Sequence, residues 1–379
     1  MIRTLLMLLV GLVWTFPAWG LARPEVTFKV FQFPPNMIPR IDGKTDDWAM
    51  APDSYAIGMD QLVNTEAPAG HGADRNPKDL DVKVKVGWVK GLNRLYFLYQ
   101  AYNRKWCCAR PDLHNDIFEV VADGDLSGGP LIDIYHRDVW TPEAVGALNV
   151  IDPRIGRWDA YYATQGVQAQ NYHIFTPAED KDWAMDWGCA QYTKDFPYAN
   201  HAYNYSFKPG EGGRLVLEFY ITLFDYAGCD GPQRAVESVL TENKLIGLSW
   251  AVIKYQSADS NQREFWNLSH VQTFFGNASE LVGFRLMPLE PQFRKPIAAH
   301  WTDKIVDVDR GIVAFQDRSE GDITSWKWSF GDGATSTEQN PIHQYTPRPG
   351  RYGNYTVILD VSGPAGASRL AKVWQIHVK

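Results

Sequence analysis

Four tryptophans, Trp140, Trp158, Trp183 and Trp187, fall with Tyr162 and Asn171 in a stretch rich in rings, residues 130–210. An indole has a flat apolar face, one N–H donor and little rotamer entropy to lose, so rings beyond the needs of a core suit a binding surface. Aromatics make up 13% of the chain, with 15 tryptophans, more than an ordinary core requires. Sugars present C–H faces to such a platform while Asn, Asp, Glu or Arg bond their hydroxyls at its rim. The expectation is non-covalent recognition of a polysaccharide or glycan through these six side chains. No helical period sorts the rings onto one stripe, so loops between strands must carry them.

Catalysis is the less expected chemistry. Asp116 and Glu119 are three apart in a strand-like segment and fall on opposite faces, a poor pair for glycoside hydrolysis, which needs both carboxyls flanking one bond. There is no G-x-S-x-G, H-E-x-x-H or phosphate loop. His114, His136, His173 and His201 lie among the aromatics; gathered in space, three could hold a metal. With Arg137, Arg154, Arg157 and Tyr162 they would suit a lyase on acidic sugars. Haem would need an axial ligand such as His136 or His173, and C-x-x-C-H is absent. Asp123-Gly-Asp125 is an oxygen-rich turn, which makes Asp123 and Asp125 weak candidates for a structural Ca²⁺; no other cofactor is expected. Asp42, Asp46 and Asp47 read as turn caps.

Met1-Ile-Arg-Thr, the apolar run Leu5 to Trp14 and the small residues before Arg23 read as a signal peptide over residues 1–22. The run is too short to span a bilayer, and no later segment could. The protein is expected to be secreted, extracellular or on the cell surface, with the periplasm the other compartment that fits. Cys107, Cys108, Cys189 and Cys229 are an even set that export allows to form disulfides. Adjacent cysteines rarely bond to each other, so Cys107 and Cys108 are each expected to pair with one of Cys189 and Cys229, in either order. The spacing is wrong for zinc. A formal charge of -7 without a basic run gives no argument for nucleic acid or anionic lipid.

The elements that must position these residues are strands. Asp81–Trp88 alternates strictly, Asn93–Tyr102 follows across a hairpin turn, and Ile117–Ala122 puts Ile117, Glu119 and Val121 on one face. Ile132–Tyr135, Tyr161–Thr164, Gln168–Phe175, Gly213–Thr222 and the apolar, central Leu245–Tyr255 are further strands. Val236–Asn243 is expected to be a short helix. The domain boundaries expected are 23–290 for a large β-domain, 291–302 for a proline-bearing linker and 303–379 for a small β-module. In that module Ile305–Phe315 reads as one strand.

Two resemblances follow. Phe315-Gln-Asp-Arg-Ser319, Trp326-Lys-Trp-Ser-Phe-Gly-Asp-Gly333, Asn340-Pro-Ile-His-Gln-Tyr345 and Gly353-Asn-Tyr-Thr-Val357 make residues 303–379 similar to the PKD (polycystic kidney disease) domain family. The likeness implies a small immunoglobulin-like β-sandwich acting as a spacer or accessory module. Ile41-Asp-Gly-x(2)-Asp-Asp-Trp48, Leu95-Tyr-Phe, Asn115-Asp-x-Phe-Glu119, Leu217-Glu-Phe with Ile221, and Gly247–Val252 resemble the family 9 carbohydrate-binding modules and the wider DOMON-like group. That likeness implies a β-sandwich with sugar as ligand, and some relatives carry a structural calcium. The protein is therefore expected to be all-β and to bind glycan without catalysis. A structural or assembly protein of the cell envelope, meeting a protein partner, is the second reading, and a polysaccharide-active hydrolase or lyase the third.

Overall fold

The computed structural model describes residues 21–66, 76–107, 115–131, 165–257, 263–346 and 353–378. The chain divides at Pro288 into two compact units. Both are all-β, with only short 3₁₀ turns between strands among the described residues.

In the larger unit the first strands are β1 (Thr27–Phe33), β2 (Ile57–Gly58), β3 (Val63–Asn64), β4 (Leu80–Val89) and β5 (Arg94–Asn103). Then come β6 (Ile117–Asp123), β7 (Gln170–Phe175), β8 (Ala184–Asp186), β9 (Ala199–Tyr205) and β10 (Gly213–Thr222). The series ends with β11 (Phe224–Tyr226), β12 (Val236–Glu237), β13 (Leu245–Tyr255), β14 (Arg263–Asn267) and β15 (Val282–Leu286). One layer runs β8-β7-β6-β13-β15-β1, with β14 following β15 along the same edge of β13. The other runs β1-β4-β5-β10-β9. β1 belongs to both: Thr27–Val30 pair with β15 and Phe31–Phe33 with β4.

The core between the layers is aromatic. Phe97 stacks on Phe219 at 4.5 Å, and Tyr99 meets Phe118 at 4.4 Å. Phe118 and Val120 thus point inward, and the alternation read from the sequence turns Ile117 and Glu119 to the outer face. All seven residues of β6 are nonetheless buried, so its outer face is covered too. β13 is paired along both edges, as its apolar run implied.

Glu218, fully buried on β10, organises the turn that precedes this sandwich's second strand. Its Oε2 accepts the backbone N–H groups of Asp42, Gly43 and Lys44 at 3.2, 2.8 and 3.1 Å. Its Oε1 accepts the indole N–H of Trp48 at 2.9 Å. Asp42 and Asp47 cap backbone N–H groups of the same turn, at Lys44 and Arg40.

Two expectations are corrected. Val236–Asn243 is not a helix: Val236 and Glu237 form β12 against β11, and Asn243 takes a φ of 66°. Val236 and Val239 face solvent, so no apolar helical stripe exists to be buried. The cysteines do not cross-pair as expected either, since Cys189 bonds to Cys229. The loop after β8 and the segment after β11 meet there directly. Cys107 is oxidised as well, and Cys108 lies outside the described residues.

The smaller unit contains β16 (Trp301–Asp307), β17 (Ile312–Asp317), β18 (Ser325–Ser329), β19 (Thr335–Ser336), β20 (Ile342–Gln344), β21 (Gly353–Gly363) and β22 (Gly366–Val378). Its sheets run β16-β17-β20 and β19-β18-β21-β22 around Trp301, Phe315, Trp328, Phe330 and Tyr345. The stretch Ile305–Phe315 is two strands rather than one, because Asp307 caps the N–H groups of Asp309 and Arg310 and starts a turn. In the Gly-Asp-Gly turn a Cβ on Gly331 would stand 2.5 Å from the Thr356 carbonyl at a φ of 85°, which only glycine tolerates. Asp332 accepts from the Ala334 N–H at 3.0 Å and meets His343 at 2.8 Å.

A Glu218→Gln variant sets an amide N–H₂ against donors it cannot satisfy. It should lose about 1–3 kcal/mol of stability, seen as a lower urea midpoint at unchanged m-value; an unchanged midpoint would show that the turn is held by something else.

Candidate functional site

The outer face of β6 forms the floor of a pocket of about 230 Å³. Register explains which residues meet there. Ile117 is opposite Phe175 on one side and Ile253 on the other, and Ile253 is opposite Phe265. The next rung carries His173, Glu119 and Ala251, so a single methyl stands beside the Glu119 carboxyl. Tyr255 and Arg263 form the rung on the other side. Four adjacent strands, β7, β6, β13 and β14, therefore supply the floor. Trp187, from the loop after β8, and Phe275, from the 3₁₀ turn Phe274–Gly276, complete the walls.

The polar groups are few and specific. Asn171 is fully buried and its Nδ2 donates to Glu119 Oε1 and to the Phe275 carbonyl, both at 3.0 Å. Its Oδ1 has no hydrogen-bond partner. Arg263 is held at the rim by Glu66, whose Oε1 accepts from Nε and Nη2 at 3.0 and 2.9 Å, and its guanidinium lies 5.9 Å from the Phe265 ring centre. Burial pushes the Glu119 carboxyl up to about 7, against the smaller opposing effects of the Asn171 hydrogen bond and the Arg263 charge. His173 meets Trp187 edge-on at 5.8 Å.

Trp187 is fixed by its surroundings. Its backbone N–H donates to the Asn171 carbonyl at 2.9 Å. Next in the chain, Gly188 packs so closely that a Cβ would stand 2.1 Å from the Gln165 carbonyl oxygen, and then comes the Cys189–Cys229 bond.

The residues expected to bind ligand divide. Trp187 and Asn171 come together at this pocket. Trp183 is buried, 4% exposed, with its indole N–H donating to the Lys194 carbonyl at 3.0 Å and its ring stacked on His201 at 4.9 Å. It packs in the core and is not part of a solvent-facing platform. Trp140, Trp158 and Tyr162 lie outside the described residues. Asp123 accepts from the N–H groups of Asp125 and Gly128 at 3.3 and 2.9 Å, and Asp125 from Ser127 at 2.9 Å. The two carboxylates shape their own loop. No group of three His, Cys, Asp or Glu side chains able to hold a metal occurs among the described residues. His173 and His201 sit on strands of different layers, and His114 and His136 lie outside the described residues.

Glu119, Tyr255, Arg263, Phe265 and Phe275 were not foreseen as a site. The signal was present: in strands buried on both faces, a glutamate or arginine at an outward position needs a reason to be there.

The fold is that of a two-layer β-sandwich followed by an immunoglobulin-like module, and likenesses to known proteins follow the same division. The family model described as "PKD domain" matches residues 294–378, and this unit is PKD-like. The chain is 50% identical over 46 residues to collagenase ColA of Bacillus cereus, which is 12% of this chain and 4% of that protein. It is 49% identical over 62 residues to collagenase ColQ1 of Bacillus cereus strain Q1, 16% and 6% respectively. The chain thus matches only a small part of either collagenase. Among solved structures, a family 9 carbohydrate-binding module from Caldicellulosiruptor kristjanssonii in complex with cellotriose is similar over 70% of this chain and 95% of its own, at 13% identity and a TM-score of 0.41. The PKD1 domain of the Vibrio cholerae metalloprotease PrtV is similar over 22% of this chain and 99% of its own, at 29% identity and a TM-score of 0.19.

The raised carboxyl has a measurable consequence. A group whose folded pKa exceeds its unfolded value binds its proton more strongly when folded, so stability falls as pH rises from the ordinary 4.5 through about 7 and then levels. Asp116, Asp123 and Asp186, also pushed up to about 7 mainly by burial, act in the same sense. Denaturation midpoints measured across that window should decline, and Glu119→Gln, which cannot ionise, should decline less steeply; equal slopes for the two proteins would contradict the raised Glu119 value.

Proposed function

We propose that the larger unit is a non-catalytic glycan-binding module of a secreted or cell-surface protein and that the PKD-like unit serves as its spacer. The observation that carries this reading is the pocket on the outer face of β6. It joins a rigid indole, Trp187, and the rings of Tyr255, Phe265 and Phe275 to a small polar set, Glu119, Asn171, His173 and Arg263. That mixture of apolar faces and sparse hydrogen-bonding groups suits a pyranose ring, whose C–H face packs on an indole while its hydroxyls meet the floor. The volume is below the roughly 300–1,000 Å³ of pockets for drug-sized ligands, in keeping with one ring of a chain entering. The Cys189–Cys229 bond agrees with a compartment outside the reducing cytosol. No helix among the described residues is long and apolar enough to cross a membrane.

Hydrolysis is less well supported. Asp116 is engaged by the backbone N–H groups of Cys107 and Tyr255, both at 2.9 Å, which leaves Glu119 as the sole carboxyl among the described residues lining the pocket.

The test is a glycan array with the full chain, followed by calorimetric titration of the best ligand. Trp187→Ala should weaken binding about 30-fold or more, equivalent to about 2 kcal/mol, with its thermal midpoint nearly unchanged. Trp183→Ala should instead destabilise the fold by about 3–5 kcal/mol. A folded protein that binds no glycan, or a Trp187→Ala variant that binds undiminished, would end this reading.

A further inference from the structure

The floor of the pocket is unevenly supplied with donors and acceptors, and that asymmetry specifies the ligand more narrowly. Both N–H bonds of the Asn171 amide are spent, one on Glu119 and one on the Phe275 carbonyl. Its Oδ1 is fully buried and accepts nothing. Glu119, 4% exposed, receives a single hydrogen bond from Asn171. An ionised carboxylate in such surroundings ordinarily gathers several donors or a cation. Arg263, the one Arg or Lys in the lining among the described residues, makes no hydrogen bond to Glu119: Arg263 gives two N–H bonds to Glu66 and directs Nη1 toward the Tyr255 hydroxyl at 3.5 Å. The other titratable groups of the lining among the described residues are His173, opposite Glu119 across the strand pair, and Tyr255, opposite Arg263. Among the described residues the floor thus has acceptors left over at Glu119 and Asn171, a negative charge where Glu119 is ionised once the Arg263–Glu66 pair is set aside, and aromatic walls that attract cations through their ring faces.

We propose that this pocket selects a protonated amino sugar, a hexosamine unit with a free ammonium group, over neutral sugars of the same shape. The inference rests on the glycan-binding reading of the same pocket. The ammonium group donates to Glu119 and to the unpartnered Asn171 Oδ1, and the C–H face of the ring lies against Trp187. A charge-assisted hydrogen bond in a site shielded from water is about twice as strong as a neutral one. A hydroxyl in the same place would leave the carboxylate uncompensated.

The experiment compares three tetramers, of glucosamine, of N-acetylglucosamine and of glucose, by titration calorimetry with the full chain at pH about 7.5, above the value of about 7 to which burial pushes Glu119, so that its carboxyl is ionised while part of the sugar amine keeps its proton. The glucosamine tetramer should bind about tenfold or more tightly than either neutral tetramer. In Glu119→Gln, shown to be folded by its thermal midpoint, the ratio should drop to about one, while Trp187→Ala should weaken all three. Equal binding of glucosamine and glucose tetramers, still dependent on Trp187, would overturn the amino-sugar inference and leave the glycan reading standing. Tight binding of the N-acetylated tetramer would do the same, since it carries an N–H donor without charge. Binding of none of the three by folded protein would remove both.

Discussion

The larger unit depends on buried carboxylates that collect donors from separate parts of the chain. A sandwich whose central strands are covered on both faces has no water to satisfy the ends of its loops, so those groups need internal partners. Glu218 meets the requirement for the turn ending at Trp48, and Asp116 for the approach to β6. The two oxygens of Asp116 take the N–H groups of Cys107 and Tyr255 and the side-chain amide of Asn103. Three strand ends, on β5, β6 and β13, are thereby fixed to one carboxyl. Each of these acids is costly to bury, and the hydrogen bonds offset that cost only while the geometry is kept.

Seen beside these anchors, Glu119 is different in kind. Glu218 gathers four donors and Asp116 three, whereas Glu119 gathers one, from an amide whose own oxygen is left without a partner. A structural role would be filled as well by an apolar side chain, which would not incur the desolvation penalty. The contrast between saturated and unsaturated acids within one domain is what supports the proposed binding role for Glu119.

Much of the framework was legible because it follows from period and chemistry together. The strict alternation of Asp81–Trp88 marked a strand with one wet face, and the pattern of Ile117–Ala122 sorted its residues onto two faces, though both are apolar enough that the inward one shows only in the packing of Phe118 on Tyr99. The short stretches Ile41–Trp48 and Leu217–Phe219, read separately in the sequence, are the two halves of one interaction centred on Glu218. Other features depended on three-dimensional proximity that spacing does not encode. The cysteine pairing was argued from the strain between neighbours, yet what decides it is that the loop after β8 runs beside the segment after β11. Trp183 and Trp187 are four apart with similar surroundings in sequence, but one faces the layer interior and stacks on His201, while the other follows a close turn at Gly188 and faces the outer surface. The pocket itself was invisible because its rows run across β7, β6, β13 and β14, whose residues lie far apart along the chain.

The same cross-strand construction determines how the site can work. Its floor is set by hydrogen-bonded register, so Glu119, Asn171 and Arg263 hold their spacing without help from a ligand. The backbone that carries its principal wall is held at three points: the Trp187 backbone N–H is bound to the Asn171 carbonyl, Gly188 packs against the Gln165 carbonyl, and the Cys189–Cys229 bond follows. A ligand entering such a site orders little that is not already ordered, and the entropy lost on binding is correspondingly small. On the proposed glycan-binding reading, recognition rests on whether the incoming group supplies donors to Glu119 and Asn171, which makes selectivity a property of β6 and β7 and affinity a property of the indole beside them.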